Sequence, residues 1–136
     1  MCGIIGILGK HQAAPIMVEA LKRLEYRGYD SAGIATVEDG VLDRRRAVGK
    51  LVNLADLLVT DPLSGVAGIG HTRWATHGVP SVANAHPHRA DRVAVVHNGI
   101  IENFRELRRE ASGPYESETD TEVIVRLCEL FLEDGM

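Results

Sequence analysis

Cys2 stands directly after the initiator methionine and ahead of a short apolar run, residues 4–8. Removal of Met1 would leave Cys2 with both a thiol and a free α-amine. An α-amine has an ordinary pKa of about 7.7–8.0 and a thiol one of about 8.5, so one residue could hold a nucleophile and its activating base near neutral pH. A Met-Cys start also arises by chance, and an N-terminal strand without chemistry is the alternative interpretation.

Asn98 and Gly99 form a second chemical feature, between the apolar runs 93–97 and 100–101. An Asn-Gly pair in that setting is the strongest short-range signal of a β-hairpin turn. The same turn can direct an amide side chain and a backbone N–H at one point, as the oxyanion of a tetrahedral intermediate requires. The local sequence leaves both interpretations open.

Residues 73–84 have neither a helical nor a strand period, and they include Arg73 and the only tryptophan, Trp74. Long loops of this kind are more often functional than not. The guanidinium fork of Arg73 suits a carboxylate ligand, and a structural salt bridge explains it equally well. Asp120 is predicted to lie in the first turn of the last helix, where backbone N–H groups favour a carboxylate whether or not it binds a ligand.

A metal centre is not expected, although five histidines are close in sequence: His71, His77, His86, His88 and His97. Their spacing matches no zinc-binding pattern, and no second cysteine is nearby. Hydrogen-bonded core positions are the alternative for the two at strand ends, His71 and His97. The glycines match neither phosphate-binding nor dinucleotide-binding motifs, so no cofactor is expected.

Composition limits the possible partners and compartment. The 136 residues fit one domain, and the net charge of −4 excludes a global basic field for nucleic acid or an anionic membrane. The basic run 44–46 is predicted to be a solvated strand face. Two distant cysteines indicate free thiols in a reducing compartment. No apolar stretch approaches the roughly 18–20 residues of a membrane span, and no signal peptide is evident, so the cytoplasm is the expected location.

Periodicity and turn signals predict the elements that must position these residues. Strands are predicted at 4–8, 34–37, 41–48, 66–72 and 93–97, and helices at 14–25, 51–58 and 103–109, with a last helix after residue 119. An Asp-Gly turn should join the second and third strands. Asn103 is a candidate cap for the third helix, and Thr119 with Glu122 forms a candidate capping box for the last.

Six segments carry longer motifs, in order along the chain: CGIIG at 2–6, LEYRGYDSAG at 24–33, HTRWATHG at 71–78, NAHPH at 84–88, HNGIIEN at 97–103 and SETDTE at 117–122. Together they resemble the glutaminase domain of the glutamine–fructose-6-phosphate aminotransferases, also called glucosamine-6-phosphate synthases. The resemblance extends over essentially the whole chain. It implies an α+β fold, the four-layer α/β/β/α sandwich of antiparallel sheets of the N-terminal-nucleophile hydrolases. It also implies that residues 1–136 are a C-terminally truncated glutaminase domain without the sugar-isomerase domain.

The resemblance further implies that a thiol releases ammonia from the side-chain amide of L-glutamine. Cys2 is then the nucleophile and its own amine the proton shuttle. Asn98 and the N–H of Gly99 are the expected oxyanion hole. Neither a cofactor nor a metal is expected to take part in this reaction.

The remaining roles implied by the resemblance concern the substrate's amino-acid head and the site's surroundings. Arg73, aided by Thr76 and the backbone of His77, is expected to bind the α-carboxylate, and Asp120 the α-ammonium. Three further expectations concern residues around this site: His86 near the substrate, Arg27 steadying the terminus, and Trp74 guarding the ammonia path.

The expected partners are L-glutamine and, only through an isomerase domain, fructose 6-phosphate, with the full-length protein a homo-oligomer. Amidophosphoribosyltransferases and asparagine synthetases share the N-terminal cysteine and the Asn-Gly pair, and they remain an alternative. The motifs at 25–30 and 72–77 favour the hexosamine enzyme. A truncated, non-catalytic fragment acting as a binding module is a further alternative.

Overall fold

The computed structural model describes residues 2–76, 78–111 and 113–135. Its main sheet has four antiparallel strands in the spatial order β1-β4-β2-β3, namely β1 (Gly3–Leu8), β2 (Ser31–Glu38), β3 (Val41–Val48) and β4 (Ala67–Arg73). A second antiparallel pair consists of β5 (His88–Arg89) and β6 (Ala94–Val95). The helices are α1 (Ala13–Lys22), α2 (Leu51–Thr60), α3 (Phe104–Glu110) and α4 (Glu122–Glu133), with a 3₁₀ turn at Glu25–Arg27.

Helices α1 and α2 cover one face of the main sheet. The hydrophobic core lies between these two helices and the sheet. Met17 and Leu21 of α1 are fully buried against this face. Glycines in the inner strand β4 allow α1 to approach the sheet closely, as the glycine-rich sequence of that strand predicts. A Cβ added to Gly68 would lie 2.8 Å from the Met17 side chain and 2.6 Å from the carbonyl oxygen of Ala35.

The opposite face of the sheet packs against the second sheet. A Cβ added to Gly33 of β2 would lie 2.1 Å from the carbonyl oxygen of His86, so the backbone leading into β5 rests directly on β2. Helix α4 in turn contacts β5 and β6. The layers therefore follow the order α/β/β/α, and the predicted α+β fold with antiparallel sheets is confirmed. None of the helices in the described ranges is long and apolar enough to cross a membrane.

The β2–β3 connection is the two-residue hairpin that the sequence predicts. Asp39 and Gly40 have φ values of 51° and 77°. Positive φ at both central residues is the type I′ geometry, whose twist matches that of the flanking strands. The hairpin pairs Ser31 with Val48 at its far end, which fixes the register of the first residues of β2.

The predicted capping box of α4 is wrong. Thr121 occupies the N-cap position and makes no side-chain capping bond, while Thr119 bonds instead to His88 Nε2 at 2.7 Å. The buried carboxylate of Glu122 accepts the N–H groups of Glu116 and Ser117, both at 2.8 Å. Since these donors belong to the preceding loop, they hold Glu122 away from its own helix terminus.

Three further local expectations differ from the structure. Asp120 precedes α4 by two residues and so does not lie in its first turn, and Asn103 caps α3 without a side-chain bond. The predicted strand 93–97 shortens to β6, and residues 99–101 form no return strand, so Asn98-Gly99 is not a hairpin turn.

The basic run 44–46 is not a solvated face. The side chains of Arg44, Arg45 and Arg46 are only 11%, 13% and 9% exposed. They are covered because α2 packs against β3, and because Arg44 and Arg46 donate to the carbonyl oxygens of Pro87 and Ala85 in the segment that leads into β5. Arg44 and Arg46 also pair with Glu116, and Arg45 pairs with Asp61 at 2.9 Å.

Candidate active site

A cavity of about 650 Å³ opens where the start of β1, the end of β4 and the segments after β6 and before α4 come together. Antiparallel pairing of β1 with β4 brings the two ends into register, with Gly3 opposite Thr72. The N–H of Gly3 also donates to Thr72 Oγ1 at 3.0 Å, which fixes the chain terminus beside the end of β4. The cavity is lined by Cys2, Arg27, His71, Arg73, Trp74, Thr76, His86, His97, Asn98, Gly99, Ile100, Thr119, Asp120 and Thr121.

The Cys2 thiol lies at the mouth of this cavity. The backbone N–H of Trp74 donates to Cys2 Sγ at 3.1 Å. Cys2 Sγ also lies 3.7 Å from the carbonyl oxygen of Trp74, so the Trp74 backbone fixes the position of the sulfur. Cys2 itself is half-buried, so a small molecule entering the cavity can reach the sulfur.

The Asn98 side chain lies next to Cys2. Its Nδ2 donates to the Cys2 carbonyl oxygen at 3.0 Å, and its Oδ1 lies 2.7 Å from His71 Nε2. An amide NH₂ has two hydrogens, so one donor position of Asn98 is left to meet a ligand. Gly99 follows on the same cavity wall.

Opposite charges line the deeper part of the cavity. Arg73 is 3% exposed, and its guanidinium donates to the carbonyl oxygens of Gly78 at 3.1 Å and Val79 at 3.3 Å. Burial lowers the pKa of Arg73, opposed by the nearby Asp30 carboxylate. Asp120 is 4% exposed and accepts a bond from a backbone N–H of the segment that follows Gly99. A cavity with a cation and an anion fits a zwitterionic ligand.

Three buried histidines form the floor between the sheets. The rings of His71 and His86 stack with centroids 4.2 Å apart at 15°, and His88 is tilted against His86 at 4.7 Å. Burial lowers the pKa of His71 to about 4 and that of His88 to about 3, and it lowers the pKa of His86 further. These imidazoles are therefore neutral at pH 7. No cluster of three or more potential metal-binding side chains occurs within the described ranges.

The structure brings nine of the ten site residues named from the sequence to this one cavity; the tenth, His77, lies outside the described residues. Trp74 is 54% exposed at the rim. Sequence reasoning assigned no site role to Asp30 or to His71. Asp30 accepts the N–H of Ala75 at 2.6 Å, and its own N–H donates to the carbonyl of Arg73 at 2.7 Å. Asp30 lies within the motif at 24–33, but only pairing of β2 with β4 reveals its contact with this loop.

Comparison with known proteins identifies the family to which the chain belongs. The family model for the glutamine amidotransferase domain matches residues 59–135. The chain belongs to the glutamine amidotransferase domain family. This amidotransferase domain is 66% identical to the glutamine–fructose-6-phosphate aminotransferase (isomerizing) of Brucella suis, over 99% of this chain and 23% of that protein. It is 62% identical to the enzyme of the same name from Mesorhizobium japonicum, over 100% of this chain and again 23% of the relative.

Solved structures agree on the fold of the amidotransferase domain. The glutamine phosphoribosylpyrophosphate amidotransferase from B. subtilis, complexed with ADP and GMP, superposes with a TM-score of 0.78 at 26% identity, over 95% of this chain and 29% of that one. A structure described as the allosteric regulatory enzyme of purine biosynthesis gives a TM-score of 0.79 at 26% identity, over 100% and 30%. The resemblance found from the motifs is thereby confirmed. The chain spans about a quarter of the length of the curated relatives that it matches.

Proposed function

We propose that this domain hydrolyses the side-chain amide of L-glutamine to glutamate and ammonia through the thiol of Cys2. The observation that carries the proposal is the contact between Asn98 Nδ2 and the Cys2 carbonyl at 3.0 Å, because it places an amide donor beside the sulfur in a cavity shared with Arg73 and Asp120.

The reaction begins once removal of Met1 has freed the α-amine of Cys2. The amine takes the thiol proton, and the sulfur attacks the amide carbon of glutamine. The second Nδ2 hydrogen of Asn98 and the N–H of Gly99 stabilise the oxyanion; losing one such donor costs on the order of 10²–10³ in rate. The carbon–nitrogen bond then breaks, and the ammonium group of Cys2 returns the proton to the departing ammonia. Water attacks the resulting thioester, which releases glutamate and regenerates the thiol.

Recognition of glutamine depends on the two charges of its amino-acid head. Arg73 binds the α-carboxylate, with Thr76 and the backbone of His77 as further donors, and Asp120 binds the α-ammonium. A simple amide lacks both charges, so it forgoes both of these interactions and is a poor substrate.

Three neighbouring side chains complete the proposed site. Arg27 steadies the N-terminal residue, His86 supports the floor, and Trp74 covers the path by which ammonia leaves. All three line the cavity.

The acceptor of the ammonia is proposed from the relatives. Identities of 62–66% to proteins named glutamine–fructose-6-phosphate aminotransferase, against 26% to a phosphoribosylpyrophosphate amidotransferase, favour the former. In the whole protein a separate sugar-isomerase domain uses the ammonia to convert fructose 6-phosphate to glucosamine 6-phosphate. We propose that residues 1–136 are the glutaminase part of such a cytoplasmic homo-oligomer.

The test is covalent labelling by an electrophilic glutamine analogue after mass spectrometry has shown that Met1 is absent. We expect one adduct on Cys2, abolished in Cys2→Ser and retained in Cys128→Ser, since Cys128 lies in α4 away from the cavity. Release of glutamate from glutamine by the same protein would exclude a non-catalytic fragment. Absence of labelling and of turnover in the processed protein would overturn the proposal.

A further inference from the structure

His71 contacts the amide of Asn98 from the side opposite Cys2. Its Nε2 lies 2.7 Å from Asn98 Oδ1, while Asn98 Nδ2 lies 3.0 Å from the Cys2 carbonyl oxygen. A carbonyl oxygen can only accept, so the NH₂ group of Asn98 must face Cys2 and its oxygen must face His71. It follows that Nε2 of His71 carries the hydrogen of this bond.

We propose that His71 is a positioning residue: its Nε2–H holds Asn98 Oδ1 and thereby keeps the second Nδ2 hydrogen of Asn98 directed at the oxyanion that forms beside the Cys2 sulfur. This inference rests on the proposed glutaminase function. Without the His71 donor, only the bond from Nδ2 to the Cys2 carbonyl oxygen opposes a 180° rotation of the Asn98 amide about its last bond. That rotation would present Oδ1 to an oxyanion, so a stabilising donor would be replaced by a repelling acceptor.

The packing around His71 keeps its donor in place. His71 is fully buried on the central strand β4, where it pairs across the sheet with Ile4 on one side and Gly33 on the other. Its ring stacks on His86 at 4.2 Å, and the carbonyl oxygen of His86 packs against Gly33. The imidazole is therefore fixed by the two sheets, whereas Asn98 lies exposed beyond the end of β6.

The protonation state of His71 agrees with this role. Burial lowers its pKa to about 4, so the ring is neutral and carries one N–H throughout the pH range in which an α-amine can act as a base. The groups that face His71 are Asn98, His86, His97 and Arg73. Burial is the largest influence on the pKa of His71; the bonds to the Asn98 side chain and the His97 backbone oppose it, and the charge of Arg73 acts with it.

The experiment compares two substitutions in the processed 136-residue protein. His71→Leu removes the donor at similar volume, and His71→Gln keeps an N–H near the position of Nε2. With glutamine as substrate, we expect kcat of His71→Leu to fall on the order of 10²-fold, as for the loss of one oxyanion donor, with KM within about threefold of the native value. We expect His71→Gln to recover kcat to within about tenfold of native.

Each outcome decides between the alternatives. A folded His71→Leu with kcat within about threefold of native overturns the proposal, and so does an equal loss in both variants or a rise of KM that matches the fall of kcat. Should His71→Leu not fold, nitrogen NMR of the native imidazole decides instead: an Nε2–H tautomer supports the proposal and an Nδ1–H tautomer overturns it. Native protein without glutamine turnover would be a failure of the glutaminase proposal, which this comparison separates from a failure of the His71 role.

Discussion

Asp120 Oδ2 accepts the backbone N–H of Ile101 at 2.7 Å, and this bond joins the carboxylate proposed for the substrate's ammonium to the segment that carries Asn98 and Gly99. A second bond, between His97 Nδ1 and Thr121 Oγ1 at 3.2 Å, joins the same two segments, so the two parts of the site are held at a fixed distance. Glutamine is long enough to need both parts at once, since its α-ammonium and its reacting amide are at opposite ends of the molecule.

Asp120→Asn is expected to weaken glutamine binding without disturbing this link, because the asparagine oxygen can still accept the Ile101 N–H. Loss of the charged bond to the α-ammonium should cost about 1.5–3 kcal/mol, which raises KM by roughly 10- to 150-fold. The measurement is glutamate release at varied glutamine concentration.

Glutaramate, which lacks the α-amine of glutamine, provides the control for the same substitution. The native protein should discriminate strongly between glutamine and glutaramate, and Asp120→Asn should lose most of that discrimination. If Asp120→Asn raises KM equally for both compounds, the carboxylate does not bind the ammonium.

The sequence predicted the main sheet and the two helices on it well, since hydrophobic period and turn residues are local signals. The Asp39-Gly40 hairpin is an example, because its positive φ values require those residue types. The motifs also named most residues of the cavity. They gave no account of how these residues are held together.

The expectations that failed depend on contacts between distant segments. The run of arginines at 44–46 predicts a solvated face, yet α2 and the segment that leads into β5 cover them. Thr119 and Glu122 have the spacing of a capping box, but each bonds to a residue elsewhere. Thr119 bonds to His88, and Glu122 accepts the backbone N–H of Glu116. The bond from His71 to Asn98 spans 27 positions, and no local pattern could indicate it.

The contact between the two sheets predicts a large difference between two glycine substitutions. A Cβ at Gly33 would lie 2.1 Å from the carbonyl oxygen of His86, whereas one at Gly6 of β1 meets nothing within 4 Å. We expect Gly33→Ala to lower the free energy of unfolding by about 1–3 kcal/mol or more, since backbone must move, and Gly6→Ala to change it by less than about 1 kcal/mol. Urea denaturation measures both, and equal effects would contradict the close packing of the sheets.

Stability should fall in acid because the buried histidines resist protonation. Burial, helped by the charges of Arg46 and Arg44, lowers the pKa of His88 to about 3 from the ordinary value of about 6.5. Between these values the unfolded chain binds a proton that the folded protein does not, so the stability due to neutral His88 is fully present above pH 6.5 and is lost as the pH falls. His71, with a pKa of about 4, acts in the same direction.

His88→Gln isolates this contribution because glutamine cannot titrate and its amide can still bond to Thr119, whose Oγ1 lies 2.7 Å from His88 Nε2. Between pH 6 and pH 4.5 the free energy of unfolding of the native protein should fall more steeply than that of His88→Gln, by up to about 1.4 kcal/mol per pH unit, the slope of one proton. Urea denaturation at several pH values gives both curves. Parallel curves would mean that His88 is protonated equally in the folded and unfolded states, which a neutral ring between the two sheets does not allow.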